Sequence, residues 1–259
     1  MSDAAPPESE RSPVREVLLV FAATTVGAAI ATRLPALVPG VDGYEHLLVA
    51  GLFLVAAIKL AQREPGGMRR HGIDLAGLLQ PPDPDDARDE GPFGVYDLAR
   101  AVRRAMPAAI REGGIAVAIA ALVFPPFVVG FAWWHGPTRD FAFTLPDDLA
   151  AFALTQLLVV ALPEEALFRG WIQTRLHDRW PPERRVLGVA LDWRVWILQA
   201  ALFALVHVAT IPHPARLAVF FPGLLFGWMR AWRGGIGAAM LLHALSNVLA
   251  EILEKGWLL

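Results

Sequence analysis

The chain has 259 residues, of which 55% are apolar and 19% charged, with a formal net charge of −2 and no cysteine. Average soluble domains are about 45–50% apolar and about 25% charged, so both departures point toward lipid. The near-balanced charge gives no reason to expect nucleic acid, and the missing thiols exclude disulfides, thiolate metal sites and thiol nucleophiles.

A bilayer-crossing helix needs about 20 mostly apolar residues. Seven runs are candidates: 14–32, 44–61, 113–134, 149–172, 195–211, 217–229 and 235–253. The predicted fold class is therefore all-α, a polytopic integral membrane bundle of about seven transmembrane helices. The first run is preceded by Asp3, Glu8 and Glu10 as well as two arginines. Signal peptides favour a net basic start, so an uncleaved first helix is expected despite the cleavage-like Ala29-Ile30-Ala31. Residues 62–112 form the one long extramembrane stretch. Within it, 80–92 (QPPDPDDARDEGP) is too rich in Pro and Asp to form a core and is expected to be a flexible linker. The following 95–110 has apolar residues at helical spacing opposite several arginines. It is expected to be a helix on the inner membrane surface, held by anionic lipid, or else a solvated helix. The third run carries no charge, and Pro125-Pro126 should kink it. The sixth is short. The expected divisions are 1–61, a two-helix region; 62–112, a cytoplasmic linker with an amphipathic helix; and 113–259, the membrane core.

Loop charge gives an orientation. With the N-terminus inside, the inner segments hold nineteen of the 23 Lys and Arg residues, and the outer ones hold Arg33, Arg139, Arg216 and Lys255. Cytoplasmic loops carry such an excess. The nine tryptophans fall near predicted span ends, as an aromatic belt would. The expected location is the membrane of a bacterial cell, multi-pass, with a cytoplasmic N-terminus.

An ionisable group inside a span costs at least a few kcal/mol and is a functional candidate by default. Three clusters qualify. In ALPEEALFRGWIQ, Glu165 and Arg169 share a helical face and can pair, while Glu164 is turned about 100° away. One carboxylate can then be neutralised structurally while the other faces a cavity. Pro163 should open the backbone beside them. In FALVH, Phe203 and His207 share a face; in HALSN, His243 and Asn247 do. A lone buried His or Asn is as often packing or interhelical glue as chemistry. Together, however, a carboxylate, two imidazoles and an amide on three helices make a hydrolytic site possible: a base for water and donors for an oxyanion. The predicted spans place Glu164 nearer the inner surface and His207 nearer the outer one, so the two would have to be brought together.

The ordered triplet Glu164-Glu165-x-x-x-Arg169, Phe203-x-x-x-His207, His243-x-x-x-Asn247 resembles the signature of the CAAX protease and bacteriocin-processing (CPBP, or Abi) family, which includes the type II CAAX prenyl endopeptidases. FRGWIQTRL also looks like that family, and the myxosortase branch is a possible home. The resemblance covers about 149–253. It implies an intramembrane endopeptidase core within 113–259. Glu164 would be the base that activates water, helped by His207; His243 and Asn247 would form the oxyanion hole. Glu165 and Arg169 would shape the site, and Phe203 would pack beside the water. It implies no cofactor, with Zn2+ on Glu164, His207 and His243 as the alternative. The implied partners are a membrane-anchored peptide or protein substrate and the lipid bilayer, without nucleic acid. Sorting signals, CAAX-like peptides and bacteriocin-type peptides are the substrate classes it suggests. The chain has no HExxH helix, no G-x-S-x-G around Ser246, and no aspartate inside any of the seven predicted runs, Asp192 lying just before the fifth. A non-enzymatic transporter or immunity-type binding protein is the alternative function, since buried Glu and His also form proton relays.

Overall fold

The computed structural model describes residues 12–79 and 95–259, so the expected 80–92 linker lies outside the described residues. The chain forms an all-α bundle. Its helices are α1 Pro13–Ala31, α2 Glu45–Gln62, α3 Val95–His135, α4 Leu149–Arg179, α5 Trp193–Thr210, α6 Phe220–Arg233 and α7 Gly237–Trp257. A two-stranded hairpin, Arg185–Val186 against Val189–Ala190, joins α4 to α5.

Six of these helices, all but α6, are long and apolar enough to cross a membrane. Of the about seven spans expected, six are matched by full-length helices among the described residues, and the sixth run forms the shorter α6. At about 1.5 Å per residue, α6 is about 21 Å long, less than the ~30 Å hydrocarbon core. A 3-10 turn over Pro214–Val219 leads into it.

The third run differs from expectation. Residues 95–112 are not a separate surface helix; they are the first part of the 41-residue α3, which runs unbroken past Pro107, Pro125 and Pro126. Apolar spacing finds a helical face but cannot mark where a surface segment turns into a span.

The central core is built from Phe53 and Ala57 of α2, Leu167, Phe168 and Trp171 of α4, and Phe203 and Val206 of α5, all buried. Phe168 packs edge-on against both Phe53 and Phe203. A second cluster seats α3 against α6 and α7 through Ala116, Ala120, Met229, Ala239 and Leu242. Small residues let these backbones approach closely, as is usual between helices in lipid. The outer surface is apolar: Leu19, Val55, Val117, Leu122, Leu154 and Leu205 are all exposed. Such a surface fits lipid rather than water.

A charge network clamps one end of the bundle. Arg175 of α4 pairs with Glu16 of α1 at 2.7 Å and with Asp178 at 2.8 Å. Arg70, on the turn after α2, pairs with Glu64 at 2.6 Å and also with Asp178. The Trp171 indole N–H donates to Glu64 at 3.1 Å. His71 is fully buried behind this network, 3.3 Å from Glu64. Burial, reinforced by Arg70 and Arg230, pushes its pKa down to about 4. Burial also raises the Glu64 carboxyl, against the pull of Arg175 and Arg70. The next residue, Gly72, has φ +64° and accepts a backbone hydrogen bond from Ile236 at 3.0 Å, which docks this loop on the α6–α7 turn.

Candidate active site

Pro163 sets the local winding of α4. It has no N–H to give, and in a regular helix its ring would press on the carbonyl four residues back. The helix is wound as π-helix over Gln156–Ala161 and again over Ala166–Ile172, with a four-residue α turn, Leu162–Glu165, between them. The Leu162 N–H donates to the Leu157 carbonyl, and that of Gln173 to Phe168, each five residues back. π-Turns are frequent at functional sites because they re-aim side chains. Here both glutamates sit on the tight turn between two wide ones.

The two carboxylates face different surroundings. Glu165 is fully buried and ion-paired to the fully buried Arg169 at 3.0 Å. The same oxygen, Oε1, lies 2.9 Å from His243 Nδ1. Arg169 is held in turn: its guanidinium lies 3.9 Å from the centre of the Phe203 ring and donates to the Gly223 carbonyl at 3.4 Å. Glu164 instead lines a cavity of about 590 Å³.

The separation in depth expected from the predicted spans does not occur. α4 is longer than the predicted 149–172, so Glu164 lies midway along it, and the Glu164 Oε2 is 3.9 Å from His207 Nε2. It is 3.7 Å from His243 Nε2. That oxygen has no direct hydrogen bond, although it is buried. Both gaps are too long for a direct hydrogen bond and leave room for a water oxygen within reach of the carboxylate and an imidazole.

Partner chemistry fixes the imidazole tautomers. His207 Nδ1 is 2.8 Å from the Phe203 carbonyl. A carbonyl can only accept, so Nδ1 carries the proton and, in the neutral ring, Nε2 is a free base. The paired Glu165 carboxylate also accepts only, so His243 Nδ1 is the donor there as well. His243 is further fixed by stacking on Phe226, with ring centres 4.9 Å apart and an 18° tilt. The Asn247 side-chain N–H donates to Gln156 Oε1 at 2.8 Å, leaving its second N–H free.

Glu164, Phe203, His207, His243 and Asn247 all line the cavity, while Glu165 and Arg169 stand behind it. The structure thus brings all seven predicted residues together. Sequence reading missed Gln156, which lies two turns before Glu164 on the same helix, and Phe226. It also missed the Gly223-x-x-x-Gly227 spacing on α6. A Cβ at Gly223 would lie 3.3 Å from Phe203, Arg169 and Ala200, and one at Gly227 would overlap the Gln199 side chain. The small-x-x-x-small pattern was a usable signal for close helix contact.

A zinc site would need three ligand atoms about 2.0–2.2 Å from one point. Among the described residues no group of three His, Asp or Glu side chains is placed to hold a metal ion.

Residues 146–249 match the model of the Rce1-like type II CAAX prenyl endopeptidase family. The expected family is therefore borne out over the part of the chain that carries all three motifs. No curated protein and no solved structure matches the chain. The match makes this, at a coarse level, an intramembrane protease: a multi-pass membrane protein whose substrate is membrane-associated. α1, α2 and α3 lie before the matched segment, yet Val49 and Phe53 of α2 contribute to the cavity wall.

Proposed function

We propose that the chain is an endopeptidase that hydrolyses a peptide bond of a membrane-associated protein or peptide with water activated by Glu164. The observation that carries this reading is the placement of the Glu164 Oε2 within 3.7–3.9 Å of two imidazole nitrogens at one cavity wall.

The Glu164 carboxylate takes a proton from water as the oxygen attacks the scissile carbonyl carbon. His207 Nε2, a free base in the neutral ring, shares that proton. The carbonyl oxygen becomes an oxyanion and is stabilised by the free N–H of Asn247 and by His243 when its Nε2 is protonated. Collapse breaks the C–N bond, and the proton held by Glu164 and His207 passes to the leaving amine. Glu165 and Arg169 do not touch substrate; they hold the His243 ring, as a carboxylate behind a catalytic imidazole does. No step needs a metal, so a chelator is expected to leave cleavage intact, whereas the zinc alternative requires its loss.

The apolar part of the cavity wall, which includes Val49, Phe53, Phe152 and Val159, suits an extended apolar segment. C-terminal sorting signals, CAAX-like peptides and bacteriocin-type peptides all offer one. The test compares the C-termini of membrane and surface proteins between wild type and a Glu164→Ala strain. Specific new C-termini should disappear in the variant while the protein remains inserted. Their persistence would sink the assignment of the base.

A further inference from the structure

The cavity is drawn from one end of the bundle. α4 contributes residues as far as Glu164 and none beyond it; α5 contributes from Phe203 onward, and α7 from His243 onward. α6 contributes none after Phe226, α2 none after Phe53, and α1 is represented by Thr32 just past its end. The helices alternate in direction, so these halves share one face of the membrane. Arg216 and Glu254, both exposed, mark the mouth.

Charge separates the two faces. Among the described residues, the Lys and Arg at the cavity end are Arg33, Arg139, Arg216 and Lys255. Arg139 belongs there because it donates to the Trp257 carbonyl at the end of α7. The opposite end carries Arg63, Arg70, Arg175, Arg184, Arg230 and Arg233, among others, with the clamp of Glu16, Glu64 and Asp178. The basic face of a polytopic protein stays in the cytoplasm.

We infer that the catalytic cavity opens on the side of the membrane away from the cytoplasm, and that the substrate is a membrane-anchored polypeptide whose cleavage site has already been translocated to that side. What enters the cavity rests on the hydrolase reading; which side it faces rests on geometry and charge alone.

The chain has no cysteine, so single-cysteine accessibility has no background. Glu254→Cys at the mouth and Arg184→Cys beyond α4 are both exposed positions. Each is expressed in a bacterial host and treated, as sealed spheroplasts, with a membrane-impermeant maleimide. Glu254→Cys should be labelled in sealed spheroplasts, and Arg184→Cys only after permeabilisation. The reverse pattern overturns the inference. Arg216→Cys and Glu183→Cys form a second pair should one variant fail to insert. Labelling does not depend on hydrolysis, so a reversed pattern leaves the hydrolase reading standing. Unchanged C-termini in the Glu164→Ala strain would instead sink that reading and leave the side of the cavity untouched.

Discussion

Two neighbouring glutamates divide two tasks, and their variants should fail differently. Glu164→Gln is nearly isosteric and Glu164 has no buried ion pair to strand, so it should abolish cleavage with little change in the thermal midpoint in detergent. Glu165→Ala strands the fully buried Arg169. Breaking one side of a buried pair costs about 3–5 kcal/mol, so this variant should lose yield and midpoint together with activity. Normal thermal behaviour of Glu165→Ala would show that Arg169 is not held as described. Gln156 adds a subtler case. It lines the same cavity and accepts the Asn247 side-chain N–H; if its task is to orient Asn247, Gln156→Leu should lower kcat more than it raises KM. Gln156→Glu, which keeps an acceptor for the Asn247 amide, should restore much of the rate; equal loss in both would assign Gln156 a packing role. The opposed facing of Glu164 and Glu165 was legible from helical spacing alone. Gln156 was not, because its partner lies 91 residues away and no local pattern joins them.

The elements show where a linear reading stops. Six of the seven apolar runs predicted the helices that are long enough to span, because length and apolarity are local properties. The winding of α4 was only half visible: Pro163 announced an opened backbone, but not π turns on both sides of it. The lengthening of α4 to Arg179, which cancels the supposed gap between Glu164 and His207, was hidden by the charges in its last turns. Those charges are paired across elements, Arg175 with Glu16 and Asp178 with Arg70. The loop that carries His71 is expected to respond to acid. Its folded pKa of about 4 lies below the ordinary 6.5, so between these values the unfolded chain binds a proton that the folded chain refuses. Stability should therefore fall as pH drops through that window. The raised Glu64 carboxyl works in the opposite sense, so the His71 contribution is read by difference: thermal midpoints of the wild type should fall more steeply from pH 6.5 to pH 4 than those of His71→Leu. Parallel slopes would remove His71 from the account.

For the whole molecule, the decisive relation is between the bundle and its solvent. The core is apolar, but so is the outside, where Val117 is 60% and Leu122 is 71% exposed. In water such a surface would drive association, and a charge placed there would improve solubility. In lipid the sign reverses: an arginine near the middle of a span raises the insertion free energy by about 2.5–3.5 kcal/mol on the translocon scale. Leu122 stands near the middle of the charge-free stretch of α3, away from the cavity and from the charge clamp. Leu122→Arg should therefore lower the membrane-inserted yield several-fold, while Leu122→Ala, which shortens the side chain without charge, should leave most of it. Both variants are compared with wild type by carbonate-resistant membrane fractionation. An undiminished yield for Leu122→Arg, or its release as a stable soluble protein, would mean that this face does not meet hydrocarbon, and the sidedness drawn from loop charge would lose the bilayer it is measured against.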